Sequence, residues 1–192
     1  FKRIRISYFL YCIILSQTVL QGQKVTVSEE IPLRNDLAYD LVGKIDSHMV
    51  LFRDRGNKYE VRLYDENLRL KEDKQITLAD KQSTILATLP YDTSFFIFYG
   101  FRSKGDYYIQ ADQFDLNANM IGSETVRVYP DIFFNPEVKA AYSEDKSKVV
   151  FFSVHELIDL QTAVYDLITK TTLVEKKLLF KDIDIKDDFR QM

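Results

Sequence analysis

Tryptophan is absent from this 192-residue chain, cysteine occurs once, histidine twice, and there are only six glycines and four prolines. Each shortage excludes something. A lone Cys12 cannot close a disulfide within the chain. Cys12 lies inside an apolar run behind Tyr11, whereas a lipid-attachment cysteine follows a small residue at the end of such a run, so it reads as a small hydrophobe. Two histidines, His48 and His155, are too few for a histidine-rich metal centre, and His155-Glu156 lacks the second histidine of a zinc-protease helix. With glycine so sparse there is no phosphate-cradling loop, and Ser94, Ser103 and Ser153 lack the flanking glycines of a nucleophile elbow. No Asn-x-Ser/Thr site occurs. The paired carboxylates Asp187-Asp188 stand in a charge-rich stretch and read as solvated. The sequence therefore predicts no catalytic residue, no cofactor and no metal site.

Aromatic residues are abundant instead. Twelve tyrosines and fourteen phenylalanines favour strands, and a 46% apolar content is enough for a sizeable core. Phe1 stands where a start methionine is usual, so the sequence reads as a fragment of a longer protein. Lys2, Arg3 and Arg5 precede an apolar run from Ile6 to Leu15, which gives way to Ser16-Gln17-Thr18 and Gly22. A basic start, a short apolar run and a polar end predict a signal peptide over residues 1–22. The run reaches Leu20 at most, short of the roughly 20 apolar residues a spanning helix needs. An extracytoplasmic protein is expected, periplasmic, cell-surface or secreted, with the membrane involved only through that segment. Its removal takes three positive charges from a net −3, leaving −6. An acidic chain has no general attraction for phosphate backbones, so nucleic acid is not an expected partner.

The strongest pattern is periodic. Aromatic-Asp pairs fall at Tyr64-Asp65, Phe114-Asp115 and Tyr165-Asp166, steps of 50 and 51 residues. Asp80, Asp131 and Asp182 keep a step of 51, and Tyr129 and Phe180 precede the last two by two positions. Each period holds a continuous apolar run: Met49–Phe52, Phe95–Tyr99 and Val149–Phe152. Runs this short predict strands buried on both faces. Turn-like stretches follow at Arg55–Lys58 and Ser103–Asp106, and then alternating strands. Tyr59, Val61 and Leu63 oppose Glu60 and Arg62; Tyr107, Ile109 and Ala111 oppose Gln110 and Asp112. Charge-bearing strands close each period over Leu70–Leu78, Met120–Val128 and Leu173–Phe180, as suits outer, water-facing edges. Further strands are expected before each apolar run, at Asp40–Ile45, Ile85–Tyr91 and Val138–Ser143. His155–Leu167 carries a helix-like spacing of apolar residues, but the period places a strand over Thr162–Leu167. Four strands in about 50 residues is the layout of a propeller blade. The expectation is an all-β chain of four-stranded antiparallel blades: an incomplete β-propeller with blades near 38–78, 83–128 and 136–180, the start of a fourth, and a linker or closing strand over 23–37.

The stretch Ser143-Glu144-Asp145-Lys146-Ser147-Lys148-Val149-Val150-Phe151 resembles the Ser-Pro-Asp-Gly-Lys hairpin of bacterial TolB-like and WD-like propellers. Glu144 and Lys146 replace the usual Pro and Gly, and Asp46 and Asp92 mark the corresponding turns. The resemblance covers roughly residues 38–180 and implies architecture only; it carries over no functional residue. Asp115-Leu116-Asn117-Ala118-Asn119 opens like a calcium loop, yet Met120 and Val126 stand where that loop needs Gly and Glu, so an ordinary turn is expected. The aromatic stretch Tyr91–Tyr108 suits packing between blades, or stacking on a sugar or a partner protein. The function expected is an exported non-catalytic binding or scaffold propeller with a protein or carbohydrate partner. The alternatives are the accessory domain of an exported hydrolase whose catalytic part lies beyond residue 192, and a membrane β-barrel, against which the continuous apolar runs argue.

Overall fold

The computed structural model describes residues 25–28, 38–56, 58–131, 135–155 and 158–179. The proposed signal segment, Phe180, Asp182 and Asp187-Asp188 lie outside them. The described residues hold twelve strands and no helix. Sheet 1 is β1 (Ala38–Ile45), β2 (His48–Asp54), β3 (Tyr59–Tyr64) and β4 (Leu70–Ile76). Sheet 2 is β5 (Thr84–Tyr91), β6 (Ser94–Ser103), β7 (Asp106–Asp115) and β8 (Met120–Tyr129). Sheet 3 is β9 (Val138–Tyr142), β10 (Lys148–His155), β11 (Asp159–Asp166) and β12 (Thr171–Leu179). Each sheet is an antiparallel meander in which consecutive strands pair. The three sheets pack in a row and do not close into a ring. The first strands gather on one side, where β1 meets β5 and β5 meets β9.

The helix-like spacing after His155 is strand: β11 begins at Asp159, earlier than the register alone predicted, and pairs along β10 from Lys148↔Asp166 to His155↔Asp159. Local preference gives way here to two flanking strands that satisfy the backbone of β11 on both edges.

Side-chain alternation turns each sheet into a two-sided wall. We call the face toward the preceding sheet its front and the opposite face its back. The back of sheet 1 (Val50, Phe52, Val61, Leu63) and the front of sheet 2 (Phe95, Ile97, Tyr99, Phe114) form one core. The back of sheet 2 (Phe96, Phe98, Ile109, Ala111) and the front of sheet 3 (Val149, Phe151, Ala163, Tyr165) form the other. Strand β6 belongs to both. Its apolar run Phe95–Tyr99 is buried on both faces, as its sequence predicts. The runs Met49–Phe52 and Val149–Phe152 are not: in each, buried and half-buried residues alternate, because an outer sheet has a like sheet on one side only. Asp112, expected on a polar face, indeed points away from Ile109 and Ala111, but that side is also interior and Asp112 is only 1% exposed.

The aromatic-Asp pairs have a common physical basis. In each sheet the pair ends the third strand beside a β-bulge, which leaves Lys71, Ile121 or Leu173 unopposed on the fourth strand. The aromatic ring is buried and the Asp carboxylate caps the turn. Asp65 Oδ1 accepts from the amides of Asn67 (2.9 Å) and Arg69 (3.0 Å), Asp115 Oδ1 from Asn119 (2.8 Å), and Asp166 Oδ1 from Ile168 (2.8 Å) and Thr169 (3.0 Å). Each turn then passes through a left-handed residue: Leu68 (φ 57°), Ala118 (φ 56°) and Lys170 (φ 56°). Left-handed backbone is uncommon in non-glycine residues, so the Asp caps hold it in place. Asp115–Asn119 is accordingly a hairpin turn; Asn119 Nδ2 also donates to Asp115 Oδ2 at 3.1 Å. Ser143–Lys148 joins β9 to β10, with Lys146 N donating to Ser143 O at 2.9 Å and Lys146 itself left-handed at φ 55°.

Two measurements test this packing. Phe98→Ala is expected to cost about 3–5 kcal/mol in urea unfolding, the usual range for a fully buried Phe. Gly100 lies under Tyr107: a Cβ there would fall 1.8 Å from the Tyr107 hydroxyl. Gly100→Ala is therefore expected to cost about 1–3 kcal/mol by overpacking, and an unchanged midpoint would contradict the placement of Tyr107.

Candidate functional site

The start of β5 lies beside a polar cleft. The loop leading into it is anchored from several sides. Tyr59 Oη donates to Lys81 O (3.2 Å) and Ser83 O (3.1 Å), and the Ala79 amide donates to Tyr99 Oη at 3.1 Å. Asp80 Oδ1 accepts from the Gln82 amide at 2.7 Å, and Ser83 Oγ donates to Asp80 O at 2.8 Å. These contacts fix Asp80, Gln82 and Thr84 on the rim. The far end of β6 supplies Gly100, Phe101 and Arg102, and Asn135 faces them ahead of β9. Together they enclose a cavity of about 430 Å³. A second cavity of about 450 Å³ adjoins it through Thr84 and Asn135 and runs between β5 and β9, past Leu86, Tyr107, Glu137 and Lys139. The aromatic end of β6 is braced from behind: Phe101 stacks on Tyr108 with centroids 5.3 Å apart. The Lys104-Gly105 turn at the tip is left-handed (φ 53° and 97°), and Asp106 Oδ1 reaches across to accept from the Asp131 amide at 3.1 Å.

The lining of the first cavity offers one carboxylate, one guanidinium, two carboxamides, a hydroxyl and an aromatic ring. Such a set suits hydrogen bonding to a polar ligand. It holds no nucleophile paired with a base. Among the described residues, no group of three or more His, Cys, Asp or Glu stands together for a metal ion. His48 begins β2, half-buried, with Ser47 Oγ 3.4 Å from its Nδ1. His155 ends β10. Two of the serines singled out in sequence are buried and hydrogen-bonded within the fold: Ser94 Oγ donates to Tyr91 O (2.8 Å) and accepts from Gln113 Nε2 (2.7 Å), and Ser153 Oγ donates to Tyr129 Oη (3.3 Å); Ser103 ends β6, half-buried. Most of the Tyr91–Tyr108 aromatics are spent on the two cores, and only Phe101 and Tyr107 reach the cleft.

Sequence reasoning missed a polar network that runs from the core of sheet 2 out to the exposed edge strand β8. Tyr99 Oη donates to Asp112 Oδ2 (2.7 Å), and Ser123 Oγ donates to Asp112 Oδ1 (2.6 Å). Gln110 Nε2 donates to Ser123 Oγ (2.9 Å), and Thr125 Oγ1 to Gln110 Oε1 (3.1 Å). Burial raises the Asp112 pKa above the ordinary 3.8, against the lowering effect of its Ser123 and Tyr99 hydrogen bonds. Burial, reinforced by the Asp112 carboxylate, also raises that of Tyr99. The one available signal was an aspartate in mid-strand among apolar residues. On the other side of sheet 2, Arg127 donates to Thr162 O (2.8 Å) and Gln161 Oε1 (3.1 Å) while lying 4.9 Å from the Tyr129 ring centre. Tyr165 is pushed up to about 12, first by burial and then by the nearby charges of Glu124 and Asp166.

No family model matches this chain, and no curated protein matches it. Among solved structures, it is similar to the crystal structure of an uncharacterized protein from Listeria monocytogenes, with 11% identity and a TM-score of 0.44. The match covers 86% of this chain, which spans 44% of that one.

The two kinds of aspartate predict opposite pH responses. A carboxyl whose folded pKa is raised binds more protons folded than unfolded, so its stabilising effect falls as pH rises from 3.8 through the raised value. Asp112→Asn is expected to abolish that fall, seen as a flatter dependence of the urea midpoint on pH. The turn carboxylates are lowered instead. Asp65 is lowered chiefly by the Arg69 amide and Asp166 chiefly by the Thr169 amide. Asp115 is lowered because its bonds to Asn119 and Asn117 outweigh its desolvation. Their contribution is complete above pH 3.8 and drains as pH falls through their lowered values. Asp65→Asn should remove part of this acid lability; an unchanged acid limb would contradict the capping role.

Proposed function

We propose that this protein is an exported, non-catalytic binding module built from β-propeller-type blades, and that the cleft at the start of β5 takes a polar ligand of the oligosaccharide class. The observation that carries the reading is the cleft lining: Asp80, Gln82, Arg102 and Asn135 around the aromatic edge of Phe101. Sugar rings present alternating hydroxyls and flat apolar faces, which paired amides, ions and an aromatic ring match. Cavities of about 430 and 450 Å³ suit a small ligand or a short segment of chain, not a folded domain. The blade reading is supported by the 50- and 51-residue spacing of the aromatic-Asp pairs, the meander order in all three sheets and the gathering of the first strands on one side. Export is supported by the basic and apolar start of the sequence.

Ligand-detected NMR against a panel of neutral oligosaccharides tests the reading. At least one is expected to bind, and Arg102→Ala and Asn135→Ala are each expected to weaken it about tenfold, the loss of one or two well-placed hydrogen bonds. No binding by any sugar, or binding that both variants leave intact, would refute it. Binding of extended peptides alone, lost in the same variants, would move the ligand class from sugar to peptide.

A further inference from the structure

The second cavity differs in chemistry from the first. The first is lined mainly by polar side chains, whereas the second runs along Leu86, Pro136, Val138 and Ala140. Val138 and Ala140 pair with Ser153 and Phe151, so they share the front of sheet 3 with Phe151. Leu86 is unopposed at the bulge between Ile85 and Ala87. All three are half-buried and extend the second core to the cavity wall. Lys139 pairs with Phe152 on the back of the sheet and gives its ammonium to Glu137 at 2.7 Å. The charged pair on the lining is thus neutralised within itself. The cavity also borders open main chain. Both bounding strands end their sheets: β5 pairs with β6 and β9 with β10. Among the described residues, no backbone hydrogen bond joins the outer edge of either strand to another strand. Alternate N–H and C=O groups of an edge strand point away from its neighbour and stay open to a ligand. Thr84 and Asn135 border both cavities, so one ligand can occupy the two together.

We infer that the sugar taken by this cleft is N-acetylated, with hydroxyl-bearing rings in the first cavity and an acetamido group in the second. The inference rests on the oligosaccharide reading and narrows it. An acetamido group carries one N–H, one C=O, a methyl group and no charge. Each of these has a counterpart here. The open edges of β5 and β9 supply the acceptors and donors that an amide pairs with, as they would for an added strand. Leu86, Val138 and Ala140 supply an apolar wall of the size a methyl group needs. The Glu137–Lys139 pair leaves no net charge to attract an ionised substituent. A sugar with a plain hydroxyl at that position leaves the apolar wall uncovered, and one with a free amine brings an unpaired cation against it. Discrimination of this kind is strongest where a site is built to hydrogen-bond the group in question.

Isothermal titration calorimetry with three trisaccharides of the same linkage tests it: those of N-acetylglucosamine, glucose and glucosamine. The acetylated trisaccharide is expected to bind at least about tenfold tighter than either of the others, the worth of a hydrogen bond and a buried methyl group together. Ala140→Asp should reduce that preference to within about twofold and leave the affinity for the glucose trisaccharide unchanged, because it places a charge on the apolar wall alone. Nuclear Overhauser contacts in the wild-type complex give a readout that needs no variant, should Ala140→Asp fail to fold. The acetyl methyl group should lie against the methyl groups of Leu86 and Val138. Equal binding of the glucose trisaccharide, tightest binding of the cationic one, full preference retained in Ala140→Asp, or acetyl contacts elsewhere on the chain would each overturn the inference and leave the oligosaccharide reading standing. Binding by none of the three overturns the inference as well, and the wider sugar panel then decides the broader reading.

Discussion

Everything in this structure hangs on one strand buried from both sides. β6 turns Phe95, Ile97 and Tyr99 toward sheet 1 and Phe96 and Phe98 toward sheet 3. Among the described residues, no backbone ladder joins one sheet to the next. The sheets adhere through these aromatics and a few polar links, such as Thr88 Oγ1 donating to Asp40 Oδ2 (2.6 Å) and Thr172 Oγ1 to Val126 O (2.9 Å). Burying a large side chain is worth about 1.5–3 kcal/mol, so five in one strand outweigh those scattered hydrogen bonds. The strand also runs on into Gly100, Phe101 and Arg102, and thereby fixes one wall of the cleft.

Close approach at the first strands adds a second constraint. Gly43, at φ 141°, sits where a Cβ would meet Pro90 Cγ at 3.1 Å, so the backbone of sheet 1 packs directly on the Pro90 ring of sheet 2 there. The opposite edges, β4, β8 and β12, are largely exposed and carry charge. Their bulges and charges blunt an otherwise open template for strand addition. The first strands thus pack closely at Gly43 and open into the cleft between β5 and β9, while the fourth strands are exposed and charged.

Much of this was legible in sequence because it follows from local chemistry. Strand positions followed from period-2 alternation, and the aromatic-Asp pairs marked the third-to-fourth-strand turns because one carboxylate satisfies two or more turn polar groups at once. Three things were not legible. Whether an apolar run is covered on one face or both depends on how many sheets flank it, and Met49–Phe52 and Phe95–Tyr99 do not differ in kind as strings of residues. The buried role of Asp112 depends on Tyr99 arriving from the adjacent strand with its hydroxyl in reach, a tertiary fact. The cleft was illegible for the same reason. Asp80, Arg102 and Asn135 are unremarkable singly and meet only through the stacking of sheets 2 and 3.

Native-state amide hydrogen exchange tests the central claim most directly, because it reports which strands open together. If β6 holds both neighbours, its amides exchange only through global unfolding. The slowest amides of β2, β3, β10 and β11 should then share its free energy and its denaturant dependence. A partial opening that releases sheet 1 or sheet 3 while β6 stays protected on its other face, with a markedly smaller denaturant dependence, would show that the sheets stand independently and would contradict the account.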